Sequence, residues 1–106
     1  MDTVKIDVPW QGFSQSKKVA DLAELYEMNI APHNYTSHLA TFQSLQFAAM
    51  VPNVRIMECD VDSSPWRDEL TTAVPELKDG YMTIPDGPGW GCDLDETSAE
   101  KHAYAG

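Results

Sequence analysis

The feature that most constrains this chain is an alternation within residues 1–62. Three short runs rich in strand-forming residues are separated by two longer stretches with helical spacing. Residues 4–8 read as a strand, closed by Pro9, with Gly12 marking a loop. Ser14 suits the N-cap of the helix that follows. There Val19, Leu22, Ala23 and Tyr26 recur at i, i+3, i+4 and i+7 and form one apolar stripe. Lys17, Lys18, Asp21, Glu24 and Glu27 take the opposite face. Residues 29–33 read as a second strand, closed by Pro32 and Asn34. Thr36 or Ser37 then caps a second helix. Its Leu39, Phe42, Leu45, Phe47, Ala48 and Ala49 cover a broad arc, so it is expected to be the more buried of the two. Pro52 ends it, and residues 54–60 read as a third strand.

Strand, helix, strand, helix, strand is the signature of an α/β fold with parallel strands and right-handed crossovers. After Asp62 the pattern breaks. Prolines at 65, 75, 85 and 88 and glycines at 80, 87, 89 and 91 leave an irregular tail. Within it residues 81–84 suggest one more strand and residues 97–104 a short terminal helix.

Several function classes drop out early. Seven Lys and Arg against seventeen Asp and Glu leave a formal charge of −10, which repels phosphate backbones and argues against nucleic-acid binding. A hydrophobic fraction of 42% argues against disorder. The length of 106 residues suits one domain, or part of a larger one, with a core that needs no disulfides. No apolar run approaches the roughly 18 residues that span a bilayer. The start MDTVKIDV lacks the basic and apolar regions of a signal peptide. Cys59 and Cys92 form no CxxC pair, so the expected compartment is the reducing cytoplasm.

In a parallel βα array, sites form at the carboxyl ends of the strands. Here those ends carry Asp7, His33 and Glu58, an acid, an imidazole and an acid, on what would be one rim. A carboxylate beside an imidazole fixes its tautomer and favours its charged form, which makes the pair a general acid/base device. Taken one at a time, the same residues read more plainly as a loop-capping Asp and a satisfied polar His. Lys5 shares strand parity with Asp7 and is expected to pair with it. Glu58, Asp60 and Asp62 alternate and could bind a hard cation, although a solvated acidic rim is the simpler reading of Asp60 and Asp62. His33 and His38 are not at a convincing metal-ligand spacing. The glycines of PDGPGWG read as a turn rather than a phosphate loop, because no Lys-Ser/Thr follows. Trp10, Trp66 and Trp90 could line a sugar pocket but read more simply as core. Cys59 reads as a buried small hydrophobe.

The segments IDVPWQGFSQSKKVADLAELYEMNIAPHN, VPNVRIMECDVD and DGYMTIPDGPGWG, in that order, resemble the end of an enolase-superfamily enzyme. The resemblance covers nearly the whole chain. It points to the mandelate racemase subgroup, and within it to acid-sugar dehydratases of the galactonate dehydratase type. The strand end APHN and the turn IPDGPGWG are its most specific pieces. The separations of 26 residues from Asp7 to His33 and 25 from His33 to Glu58 fit it as well.

That resemblance implies a TIM-like (β/α)8 barrel. Residues 1–62 would supply its sixth to eighth strands, and residues 63–106 would pack as an irregular tail against barrel and capping domain. It likens Asp7 and His33 to a His–Asp dyad. It likens Glu58 to the glutamate that holds the substrate carboxylate or its enolate, possible for a protonated acid of raised pKa. The implied reaction removes the proton next to a carboxylate, after which the β-hydroxyl leaves. Racemisation or epimerisation is the enzymatic alternative. The implied cofactor is Mg²⁺, with its carboxylate ligands on barrel strands absent from this chain. The implied partner is an acid-sugar or hydroxy-acid substrate.

The expectation is therefore a C-terminal fragment, inactive alone. Parallel strands need cover on both faces, and two helices cover one. Open edges and apolar surface favour association, so the chain is expected to form a homo-oligomer or to join the missing N-terminal part. A non-catalytic, self-associating βα module is the alternative of a different class.

Overall fold

A computed structural model of the chain describes residues 2–62 and 64–104. The N-terminal part is a small α/β layer. Strand β1 (Thr3–Ile6) pairs in parallel with β2 (Asn29–Pro32), in a register that sets Val4 against Ile30 and Ile6 against Pro32. Between them run a one-turn helix α1 (Val8–Gln11) and a longer helix α2 (Phe13–Leu25). Helix α3 (His38–Met50) follows β2, with Ser37 as its N-cap.

β1 ends sooner than the sequence suggests, because Asp7 is a helix N-cap. Its Oδ1 accepts the Trp10 N–H at 3.2 Å, and Pro9 in the first turn needs no donor of its own. Gly12, with φ of 80°, turns the chain from α1 into α2 and takes the capping position expected of Ser14, which lies inside the first turn.

The buried face of α2 is also rotated from the expected stripe. Ser16, Ala20 and Ala23 are buried, at i, i+4 and i+7, and small side chains let the helix lie close on the sheet. Leu22 and Tyr26 are exposed. With Val4, Val19, Ala23 and Met28 they line an open apolar groove of about 240 Å³. The core proper joins Ile6, Val8, Ala20, Ala23, Ile30, Phe47 and Val51. Helix α3 is the more buried helix, as its broad apolar arc indicates.

The third strand exists only in part. Val54 forms a parallel bridge with Ile30, where the Ile30 N–H donates to Asn53 O at 2.8 Å and the Arg55 N–H to Ile30 O at 2.9 Å. Pro32 has no N–H to continue that ladder. Its carbonyl instead accepts from Glu58 N–H at 3.2 Å, one residue later than regular register would have it.

The tail is tied down at separate points. Strands β3 (Leu77–Lys78) and β4 (Tyr81–Met82) form a hairpin around Asp79 and Gly80, both at positive φ, the geometry of tight hairpin turns. Only Tyr81 and Met82 of the expected strand 81–84 are extended in this way. Helix α4 (Glu96–Lys101) begins at an Asp95 cap, so the expected terminal helix is shorter than residues 97–104. The Trp90 ring packs on Phe13, and Gln46 donates to Pro85 O at 3.2 Å. The radius of gyration is 14.7 Å, against about 13 Å for a compact domain of this length. Among the described residues no helix is long and apolar enough to cross a membrane.

Candidate active site at three strand ends

The three strand-end residues meet. His33 Nδ1 lies 2.8 Å from Asp7 Oδ2, and His33 Nε2 lies 3.5 Å from Glu58 Oε2. A carboxylate only accepts, so Nδ1 carries its hydrogen towards Asp7. Asp7 therefore serves both plain and chemical readings at once, one oxygen capping α1 and the other orienting the imidazole. The main chain reinforces the arrangement, since the His33 N–H donates to Ile6 O. All three side chains remain partly open to solvent, His33 at 38%.

Glu58 reaches this cluster through the irregularity beside Pro32. In a regular strand, Val54 and Glu58 would face the same way. Val54 packs against the core, whereas Glu58 faces Lys5 and His33. The extra residue between them acts as a bulge, the usual device for re-aiming a side chain.

Two contributors were not foreseen in these roles. Lys5 pairs with Glu58, Nζ to Oε1 at 3.4 Å, rather than with Asp7. Parity placed it on the right face, but the neighbouring strand end decides its partner. Asn34 is buried and holds Glu58 twice. Its N–H donates to Glu58 Oε2 at 3.1 Å and its Nδ2 to Glu58 O at 3.1 Å. The same side chain bonds with Thr41 Oγ1, which also donates to Ser37 O. A polar residue immediately after a strand-end His was the available signal.

These contacts set the charge on Glu58. Its carboxyl is held below the ordinary glutamate value, first by the Asn34 N–H, then by the Lys5 ammonium and by His33, against burial that pushes it up.

Other sequence candidates lie elsewhere. Asp60 is neither on a solvated rim nor in a cation site. It is buried, pairs with Arg67 at 3.1 Å and caps the Asp62 N–H. Buried His38 bonds through Nε2 to Asp68 Oδ1 at 2.6 Å. Trp10 is 83% exposed, so it is not core, and Trp66 stacks on His102. Cys59 is only half-buried. Among the described residues no group of three His, Cys, Asp or Glu could hold a metal ion. The described residues therefore do not fit Mg²⁺.

Comparison with known proteins shows the family of the chain. Residues 1–98 match the family described as enolase C-terminal domain-like. D-xylonate dehydratase of Haloferax volcanii is 34% identical over 107 residues, which cover 100% of this chain and 26% of that protein. D-galactarolactone cycloisomerase of Agrobacterium fabrum is 40% identical over 91 residues, covering 78% of this chain and 24% of that protein. A structure from Burkholderia xenovorans, described as a candidate L-alanine-DL-glutamate epimerase bound to magnesium and fumarate, superposes with a TM-score of 0.92 at 46% identity. It covers 96% of this chain and 25% of its own. The chain thus spans about a quarter of the length of these relatives. It belongs to the enolase C-terminal domain-like family, with D-galactonate dehydratase family members and mandelate racemase subgroup enzymes among its relatives.

Proposed function

We propose that this chain is the C-terminal portion of an acid-sugar dehydratase. Residues 1–62 supply the sixth to eighth strands of a (β/α)8 barrel, and residues 63–106 its tail. The observation that supports this reading most is the Asp7–His33–Glu58 cluster, drawn from three successive strand ends to within 2.8 and 3.5 Å.

Asp7 fixes the imidazole so that His33 Nε2 is the nitrogen that exchanges a proton with substrate. A base so placed removes the weakly acidic proton next to a carboxylate, and the imidazolium so formed gives that proton to the β-hydroxyl as its C–O bond breaks and it departs as water. An imidazole held in this way contributes about 10² to 10⁴ in rate. Asp7 supplies orientation and stabilises the imidazolium as it forms. The ligands of the family's Mg²⁺ belong to the part of the barrel beyond this chain, so activity needs that part. The apolar groove beside β1 supports an association there, either with the preceding barrel segment or with a second copy.

The Burkholderia relative favours a second reading, epimerisation, which begins with the same proton removal. The two diverge afterwards, by loss of hydroxyl or by return of the proton.

The test combines the chain with the first three-quarters of the Burkholderia protein, in Mg²⁺, and offers a panel of acid sugars. Formation of a 2-keto-3-deoxy acid supports the dehydratase. Stereochemical inversion without loss of water supports the epimerase. A folded complex that does neither overturns both and leaves a non-catalytic module.

A further inference from the structure

We propose that Arg67 and Asp68, neighbours in the tail, are positioning residues of the strand-end site. They brace the segment that carries Glu58 against the start of α3, and so set where the Glu58 carboxyl sits beside His33. That Glu58 meets an acid-sugar substrate rests on the proposed function. The brace itself does not.

Regular pairing gives out where the brace begins. Beyond Val54, among the described residues, the third strand keeps two main-chain bonds to β2, from the Arg55 and Glu58 N–H groups. Past Glu58, side chains take over. Arg67 Nη1 donates to Asp60 O at 3.0 Å and lies 3.1 Å from Asp60 Oδ2, so one nitrogen holds main chain and side chain together two residues beyond Glu58. The other oxygen, Oδ1, accepts the Asp62 N–H at 2.9 Å. The two side chains are only 18% and 7% exposed, which shields the pair from the screening that weakens surface ion pairs.

Arg67 opens a 3₁₀ turn, Arg67–Glu69, whose next residue completes the brace. Asp68 Oδ1 accepts from Nε2 of the buried His38 at 2.6 Å. His38 is the first residue of α3, and Thr41 lies one turn further along the same face. Thr41 bonds with the Asn34 side chain, and Asn34 holds Glu58 through its N–H and its Nδ2. The links therefore close a ring that starts and ends at Glu58. Hydrogen bonds in such a network support one another, so loosening a distant link reaches Glu58. The other arm of the site has a separate origin. The His33–Asp7 contact follows from the register of β1 and β2 and touches no part of the brace.

That asymmetry supplies the test, an NMR study of the ¹⁵N-labelled 106-residue chain at constant pH. Three amides report. Asn34 N–H donates to Glu58 Oε2, Trp10 N–H to Asp7 Oδ1 and Ile30 N–H to Asn53 O in the core. In Arg67→Met the Asn34 amide should exchange with D₂O about 2- to 10-fold faster, the worth of one hydrogen bond. The Ile30 amide should keep its wild-type rate and the Trp10 amide its chemical shift. Arg67→Lys keeps a cation in reach of Asp60 and should restore Asn34. Arg67→Met leaves Asp60 buried without its partner, which destabilises, so Asp68→Ala serves as a second variant. It cuts the brace at an exposed carboxylate and should accelerate Asn34 in the same way. Equal acceleration at Asn34 and Ile30 in the folded variants would mean that the tail only adds stability. No acceleration at Asn34 would mean that the tail does not reach the site. Either result overturns the proposal. No substrate is present, so failure of the dehydratase reading leaves this result untouched, and the reverse also holds.

Discussion

His33 Nδ1 and Asp7 Oδ2 lie 2.8 Å apart although 26 residues separate them in sequence. The parallel register of β1 and β2 makes the contact, since it ends with Ile6 against Pro32 and so brings the next residue of each strand together. The contact fixes which ring nitrogen carries hydrogen and leaves the other for chemistry.

Replacing Asp7 with Asn should therefore damage function more than fold. An amide keeps the size and the N-cap oxygen for α1, but its NH₂ can face the ring and reverse the tautomer. In the reconstituted enzyme, turnover should fall by on the order of 10² to 10⁴ with the circular dichroism spectrum preserved. Steady-state kinetics check this, and unchanged kcat would contradict it.

Asn34→Ala should destabilise the chain. It removes the donor to Glu58 O and the partner of Thr41 Oγ1 while leaving both groups behind. The expected loss is about 1–3 kcal/mol by urea denaturation. Combined with Thr41→Ala it should be less than additive, since the two side chains bond to one another.

Phe47 is fully buried and meets Phe13 edge-on at 5.7 Å, while Phe13 in turn packs on Trp90 at 5.5 Å. This run of rings joins α3, α2 and the tail. Phe47→Ala should cost about 3–5 kcal/mol, a large share of the stability of a small domain, and abolish the near-UV signal of the aromatic cluster. Gly91→Ala tests the tail end of the same contact. A methyl there would run into the Pro85 ring from a position of positive φ, so Trp90 fluorescence should shift towards that of exposed indole.

Acid should loosen the chain. Glu58 is held low first by the Asn34 N–H, and Glu69 first by the His102 hydrogen bond, with Lys101 adding. Carboxyls depressed on folding stabilise the native state above their unfolded value of about 4.3 and lose that contribution as pH falls through the folded values. The urea midpoint should hold steady above that range and drop below it, with a smaller drop in high salt because both groups are exposed. A midpoint independent of pH across that range would contradict the assignment.

The sequence reveals the layer order well, because helix and strand periods differ and the prolines punctuate them. It reveals the site less evenly. Asp7 and His33 follow from counting to the end of each strand. Glu58 is found in the same way, but its aim is not, because regular parity from Val54 would turn it towards the helices, and only the missing N–H of Pro32 shows why the strand slips. The rotated face of α2 was illegible for another reason. Hydrophobicity marks Leu22 and Tyr26 as inward, but close approach to the sheet favours Ser16, Ala20 and Ala23.

The most direct test of the central claim is exchange of the α-proton of an acid sugar into D₂O by the reconstituted enzyme, compared with its His33→Asn variant. The account predicts exchange with the wild-type chain and its loss, by about 10² or more, when the imidazole is removed. Exchange at an unchanged rate in the folded His33→Asn protein would show that the proton is taken by another group, and the assignment of the strand-end cluster would fail.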